Sequence, residues 1–241
     1  MTIKFFQPPV APGTAFLSPF CAKLDMLLQI SGLPFERHVE GDPRQGPKQK
    51  VPFIEDNGSR IGDTFFIERH LRETQGFDSL QHLSATERAI GNMIMATVEE
   101  KLYWVLVYGR WQSPANAQVM KDIFFGEIPD KAMRDEMANG AETMMRQTLY
   151  GQGMGRHSEA EVLEIGMQII DDLSTILAES DYFFGTTPTS IDASVFGALV
   201  NFVHGPIQTP IANHIGNKPN LVSYMDRISH QYFPNIQKQA A

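Results

Sequence analysis

Every strand-like run in this 241-residue chain falls before residue 62, and the remainder reads as helix. Strands gathered at one end can pair only with each other, so they must build a single small sheet. The chain therefore divides into an α/β unit over 1–75, a polar linker over 76–84 and an all-helical unit over 85–241.

Ile3 to Phe6 is the first strand-like run. The stretch from Gln7 to Leu17 carries Pro8, Pro9, Pro12 and Gly13 and reads as an exposed loop. Ser18-Pro19 then opens a helix, with a serine able to cap free amides and a proline at the first helical position. Phe20, Leu24, Leu27 and Leu28 recur at helical spacing as far as the stop at Gly32. Phe35 to Glu40 is a second strand, and Gly41 to Lys50 is loop or one irregular turn. Val51 to Glu55 and Ser59 to Ile61 flank Asp56-Asn57-Gly58, whose Asn-Gly pair suits a tight hairpin. From Asp63 the pattern returns to helix, with Phe66, Ile67, His70 and Leu71 on one face and Gly76 past its end. The order is β-α-β followed by β-β-α.

Beyond the linker, Thr86 to Trp111 forms one long helical segment, and Pro114 to Ile128 and Asp130 to Tyr150 supply two more. Capping boxes at Ser158 to Glu161 and Thr189 to Asp192 start two further helices, because each hydroxyl and carboxylate satisfy amides left open at a helix start. A last helix runs from Asn220 to Gln231.

The formal charge of −8 without a basic stripe argues against a nucleic-acid partner, since phosphate binding needs clustered Lys and Arg. Cys21, the single cysteine, excludes an intramolecular disulfide and any multi-thiolate metal site. A reducing compartment suits such a chain, and the cytoplasm is the default expectation. The longest apolar run, Ser194 to Val203, is about half the roughly twenty residues a bilayer span needs. The histidines lack metal-ligand spacing, so His70, His157 and His204 read as core or surface residues and no metal is expected.

Three places offer chemistry. Ser18 stands where open backbone amides and the helix dipole favour negative charge. The run Ser18-Pro19-Phe20-Cys21 also has the spacing of a redox Cys-x-x-Cys, with serine at the first position, which rules out a two-cysteine cycle. Read alone, Ser18 is a helix cap and Cys21, among Phe20 and Leu24, is core packing. Val51-Pro52 is compatible with a cis bond that presents the valine backbone to an extended ligand. Asp63-Thr64 joins free amides, a hydroxyl and a carboxylate, able to meet both charges of an amino-acid group. Tyr103, Trp104, Tyr108 and Trp111 give the long helix an aromatic end that suits either a pocket wall or interdomain core.

The runs SPFCAKL and KVPFIEDNGSRIGDT, in that order and separation, resemble the glutathione-binding domain of the glutathione transferases. GRHSEAE, YFFGTTPTSIDASVFGAL and the closing NLVSYMDRI resemble the helical domain of the same family, and the whole is most similar to its failed-axon-connections and metaxin-like branch.

That resemblance implies a thioredoxin-like N-terminal domain joined to an all-α C-terminal domain, with glutathione as cosubstrate and a homodimer as the assembly. Ser18 would activate the glutathione thiol, and Val51, preceding Pro52, would pair its backbone with the cysteinyl unit. Asp63 and Thr64 would hold the γ-glutamyl end, while Lys50, and behind it Lys48, would meet the glycine carboxylate. The family commonly has Glu-Ser or Asp-Ser where this chain has Asp63-Thr64, a departure that keeps the hydroxyl. The thiolate would attack a small hydrophobic electrophile held between the domains. The alternatives are a non-catalytic binding or targeting protein of the same fold, and a glutathione-dependent reductase using Cys21.

Overall fold

The computed structural model describes residues 2–9 and 16–234. Positions 10–15 of the proline-rich stretch before Ser18 lie outside the described residues.

The N-terminal elements are β1 (Ile3–Gln7), α1 (Pro19–Ser31), β2 (Phe35–Val39), β3 (Phe53–Asp56), β4 (Ser59–Gly62) and α2 (Thr64–Gln75). They form a four-stranded sheet in the order β2-β1-β3-β4. β1 runs parallel to β2 through the α1 crossover and antiparallel to β3, which turns back into β4 at Asn57-Gly58. Alternation in β1 turns Ile3, Phe5 and Gln7 inward. In β3 both Phe53 and Ile54 are fully buried, as expected of an interior strand covered on both faces.

β3 begins two residues later than the apolar run suggests. Pro52 has no amide hydrogen to give a ladder, so pairing starts at Phe53. The segment from Gly41 to Lys50 resolves into two short 3-10 turns, Pro43–Gln45 and Pro47–Gln49.

The helical region starts at a capping box on Ser84 with α3 (Ala85–Ala96), which passes through a wider π-helical stretch, Thr97–Leu102, into α4 (Tyr103–Trp111). Then come α5 (Pro114–Phe125), α6 (Lys131–Gln152), α7 (Glu159–Leu177), α8 (Ser190–Val203), α9 (Pro210–Gly216) and α10 (Pro219–Tyr232). Both expected capping boxes form, on Ser158 with Glu161 and on Thr189 with Asp192. The short α9 escaped the periodicity argument, although Thr209 caps it and Pro210 starts it. No helix among the described residues is long and apolar enough to cross a membrane.

α8 is buried from Ser190 to Phe202, and α1 is buried through most of its circumference. These two helices pack together and join the sheet unit to the helical one. Gly197 sets how close they come: a Cβ there would lie 2.5 Å from the Pro19 carbonyl oxygen. Asp192 organises the start of α8 with no solvent exposure, accepting from Thr189 N at 2.8 Å, Thr189 Oγ1 at 2.9 Å and Phe183 N at 3.0 Å.

Candidate functional site

The strand register brings the separate sequence positions to one end of the sheet. Phe6, near the end of β1, pairs with Phe53 at the start of β3, and Phe53 pairs on its other side with Gly62 at the end of β4. The chain leaving β1 toward Ser18, the Val51-Pro52 bond before β3 and the Asp63-Thr64 pair after β4 therefore share that edge. α1 and α2 both start there, so two sets of open amides and two positive helix ends serve one region.

Ser18 precedes the first helical residue in an extended conformation, with φ −129° and ψ 126°. Its carbonyl accepts from Cys21 N and Ala22 N at 3.1 Å each, which starts the helix. The hydroxyl makes no capping bond, contrary to the cap expected at this position. It hydrogen-bonds the Cys21 side chain instead, and among the described residues no side chain accepts from the amides at the head of α1.

Cys21 itself is 1% exposed. Burial pushes its thiol up to about 12, outweighing the opposing hydrogen bond from Ser18, while nearby Asp25 raises it further. A thiol so placed stays protonated and out of reach, which removes the physical basis for a reductase built on Cys21.

The Val51-Pro52 peptide is cis, as the proline allowed, with Pro52 buried and Val51 half-buried. Asp63 has φ 76° and ψ 124°, a conformation that costs a non-glycine residue on the order of 1–3 kcal/mol. Its carboxylate accepts from Phe65 N at 3.0 Å and so caps α2, while its side chain remains 48% exposed. Thr64, at the first helical position, is buried.

Lys48 and Gln49 also have positive φ, at 59° and 56°. The turn they form directs the Lys48 ammonium to within 3.8 Å of Asp63 Oδ2 and 3.7 Å of the Phe66 ring centre. Lys48 is thus the cation joined to the head of α2. Lys50 is exposed and comes after the turn in extended backbone, with φ −140° and ψ 152°. Lys50, put before Lys48 in the sequence reading for the glycine carboxylate, follows the turn of two left-handed residues, Lys48 and Gln49. The spacing of Lys48 from Val51 does not reveal its contact with Asp63.

Arg110 of α4 was not singled out by any motif. It is 6% exposed and reaches across to the sheet unit, donating from Nη1 to the Leu17 carbonyl at 2.7 Å and from Nη2 to Asn201 Oδ1 at 2.9 Å. The aromatic end of the long segment divides its roles. Tyr103 packs on Phe20 of α1 with ring centres 5.1 Å apart and on Trp104 at 5.2 Å, so it forms interdomain core. Trp111 is buried against Phe124, at 6.5 Å. Tyr108 instead lines a cavity of about 190 Å³ with Val105, Gly109, Asn116, Val162 and Ile211. By helical spacing, Val105, Tyr108 and Gly109 face away from Tyr103 and Arg110. That cavity therefore belongs to the helical unit and not to the edge carrying Ser18.

Comparison with known proteins bears on the family and the fold. Residues 19–116 match the family model for the glutathione S-transferase N-terminal domain, and residues 166–228 match that for the glutathione S-transferase C-terminal domain. The isoprene-epoxide glutathione S-transferase of Rhodococcus sp. (strain AD45) is 30% identical over 240 residues, covering 96% of this chain and 99% of that protein. Failed axon connections of Drosophila melanogaster is 27% identical over 247 residues, where 96% of this chain spans 57% of the relative. Metaxin-3 of Xenopus laevis is 25% identical over 231 residues, covering 92% of this chain and 74% of the relative. Among solved structures, a glutathione S-transferase from Methylobacterium radiotolerans in complex with glutathione sulfonate superposes with a TM-score of 0.59 at 17% identity, over 100% of this chain and 97% of that one.

Proposed function

The chain belongs to the glutathione S-transferase family, in its failed-axon-connections and metaxin-like branch, and from that premise we propose that it binds glutathione and activates its thiol for attack on a small hydrophobic electrophile. The observation that carries this reading is the shared edge on which Ser18, the cis Val51-Pro52 bond and Asp63-Thr64 lie at the heads of two helices. Glutathione is a tripeptide with a carboxylate at each end, a free amine and a central thiol. Open amides at the head of α2 favour the γ-glutamyl carboxylate, and the Asp63 carboxylate favours its amine. The unpaired Val51 backbone before β3 offers the cysteinyl unit an extended partner.

The sulfur then falls to Ser18. A thiol ionises near pH 8.5, and lowering that by about two units takes about 2.7 kcal/mol of selective thiolate stabilisation. A hydroxyl donor at the positive end of α1 is of the right kind and size to supply it. The bound thiol loses its proton to solvent and the thiolate attacks an electrophilic carbon. With an epoxide, a carbon–sulfur bond forms, the carbon–oxygen bond breaks and the alkoxide takes a proton from water. An epoxide is a reasoned first substrate class because the Rhodococcus relative is named for one.

A second reading, binding without turnover, is favoured by one feature: the Ser18 hydroxyl is engaged with Cys21 and must turn from it to reach a ligand sulfur. Homodimer assembly and cytoplasmic residence belong to the family reading, and the exposed Phe65 of α2 and Met93 of α3, at 66% and 73%, offer apolar surface for a second copy.

Calorimetric titration with glutathione, followed by turnover assays with a small epoxide, an aryl halide and a mixed disulfide, tests the proposal. Binding with turnover that falls sharply in Ser18→Ala supports it. Binding with no turnover selects the second reading, and no binding defeats both.

A further inference from the structure

Arg110 is a buried cation, and among the described residues no buried anion stands beside it. Its two acceptors, the Leu17 carbonyl and the Asn201 side-chain oxygen, are both neutral, and its Nε hydrogen has no acceptor among the described residues. Enclosing a guanidinium in this way is costly, and a buried donor left open calls for an explanation. Burial pulls its pKa down to about 10, still far above neutrality, so the charge is retained. Packing alone would be served by an apolar side chain of similar length.

The explanation lies in what the guanidinium holds. Leu17 is the residue immediately before Ser18, and the bond from Arg110 fixes its carbonyl from a helix 93 residues further along the chain. Asn201 is fixed in turn by donating to Gly197 O at 2.9 Å, at the point where α8 comes closest to Pro19. The head of α1 is therefore clamped from α4 and α8 by one cation. Among the described residues, the titratable side chain that acts on it is Tyr103 on its own segment, whose hydroxyl burial keeps protonated.

We propose that Arg110 is a positioning residue for the Ser18 site, holding the Leu17-Ser18 turn and placing behind it a positive charge that favours the thiolate of bound glutathione. The proposal rests on the glutathione reading above. The charge lies in the interior beside the head of α1, where it is screened less than a surface charge would be. It adds to the helix dipole at the same place.

The test is the ultraviolet titration of the thiolate of bound glutathione, with calorimetric affinity at pH 6 and thermal unfolding measured alongside. Three variants are compared with the native protein. Arg110→Met removes the charge, Arg110→Lys keeps it, and Asn201→Asp leaves Arg110 in place while putting a carboxylate against it. Arg110→Met and Asn201→Asp are expected to raise the apparent thiol pKa by about one unit, roughly a tenfold loss of thiolate at neutral pH. Arg110→Lys is expected to keep most of the native value. A purely structural role would move the unfolding temperature and the affinity but not the thiol pKa. If Arg110→Met does not fold, Asn201→Asp decides. An unchanged thiol pKa in a variant that binds glutathione as the native protein does overturns the proposal alone. Failure of the native protein to bind glutathione defeats the underlying reading and this inference with it.

Discussion

Lys23 of α1 and Glu99 of the π-helical stretch form an ion pair at 2.7 Å across the junction of the two units, and Ser194 Oγ of α8 donates to the same carboxylate oxygen at 2.5 Å. The lysine is only 3% exposed, so Glu99 is what makes its burial tolerable. A buried charge that loses its partner typically costs about 3–5 kcal/mol. Glu99 is partly open to solvent, which places Glu99→Gln at the lower end, about 3 kcal/mol, read by urea unfolding. The double variant Lys23→Met with Glu99→Leu should recover most of that loss, because no charge remains to be compensated. A single-variant loss below about 0.5 kcal/mol would show that the pair behaves as an exposed surface pair.

Ser18→Ala separates a cap from a chemical role. A serine that caps a helix contributes about 1 kcal/mol of stability through its side chain. Since the Ser18 hydroxyl makes no capping bond, the variant should unfold within about 0.5 kcal/mol of the native protein. Turnover with glutathione, once a substrate is found, should fall by roughly a hundredfold, the size expected when one hydrogen-bond donor to a developing anion is lost. A large stability loss with unchanged turnover would return Ser18 to the capping role suggested by the sequence alone.

Cys21 gives a pH prediction with a definite sign. Its thiol is raised from 9.0 to about 12 by burial, so the folded state holds this proton more tightly than the unfolded chain. The contribution to stability is therefore constant below pH 9 and is lost as pH rises from 9 toward 12. Unfolding curves collected across that window should show weaker alkaline destabilisation in Cys21→Ala than in the native protein. At neutral pH the thiol should react with iodoacetamide only as fast as the protein unfolds. Rapid modification of the folded protein would place Cys21 at the surface and reopen its role as a nucleophile.

Local signals carried most of the fold into view, because cap residues, proline positions and apolar spacing act within a few residues of each other. The capping boxes at Ser158 and Thr189 and the Asn57-Gly58 hairpin are of this kind, and each forms as expected. From the residues alone the site was legible only as separate pieces, which the family resemblance joined. That Ser18, Val51 and Asp63 share an edge is a consequence of the pairings of Phe6 with Phe53 and Phe53 with Gly62, which depend on register over long sequence distances. Arg110 was hidden for the same reason, since its partner Leu17 lies in the other unit and its meaning comes from burial. The contact of Lys48 with Asp63 was hidden as well, since it depends on a turn of two left-handed residues and neither Lys48 nor Gln49 is a type that favours that conformation.

Asp192 supplies the sharpest test of what holds the helical unit to the sheet unit. One side chain satisfies Thr189 N, Thr189 Oγ1 and Phe183 N, and its own backbone carbonyl accepts from Tyr224 Oη at 3.0 Å. Desolvation raises its pKa despite these three donors, so burial of the carboxylate is itself a cost that the hydrogen bonds offset. Asp192→Ala removes the acceptor and leaves buried donors open at about 1–3 kcal/mol each, for a total loss of roughly 3 kcal/mol or more. Asp192→Asn keeps one oxygen but turns an amide NH₂ toward the other donors, so it should recover only part of the loss. Because α8 packs directly on α1, the effect should reach the head of α1 and weaken glutathione binding as well as lowering the unfolding midpoint. A variant that loses stability while retaining native affinity would show that the α1 head is held by Arg110 and the sheet, independently of the start of α8.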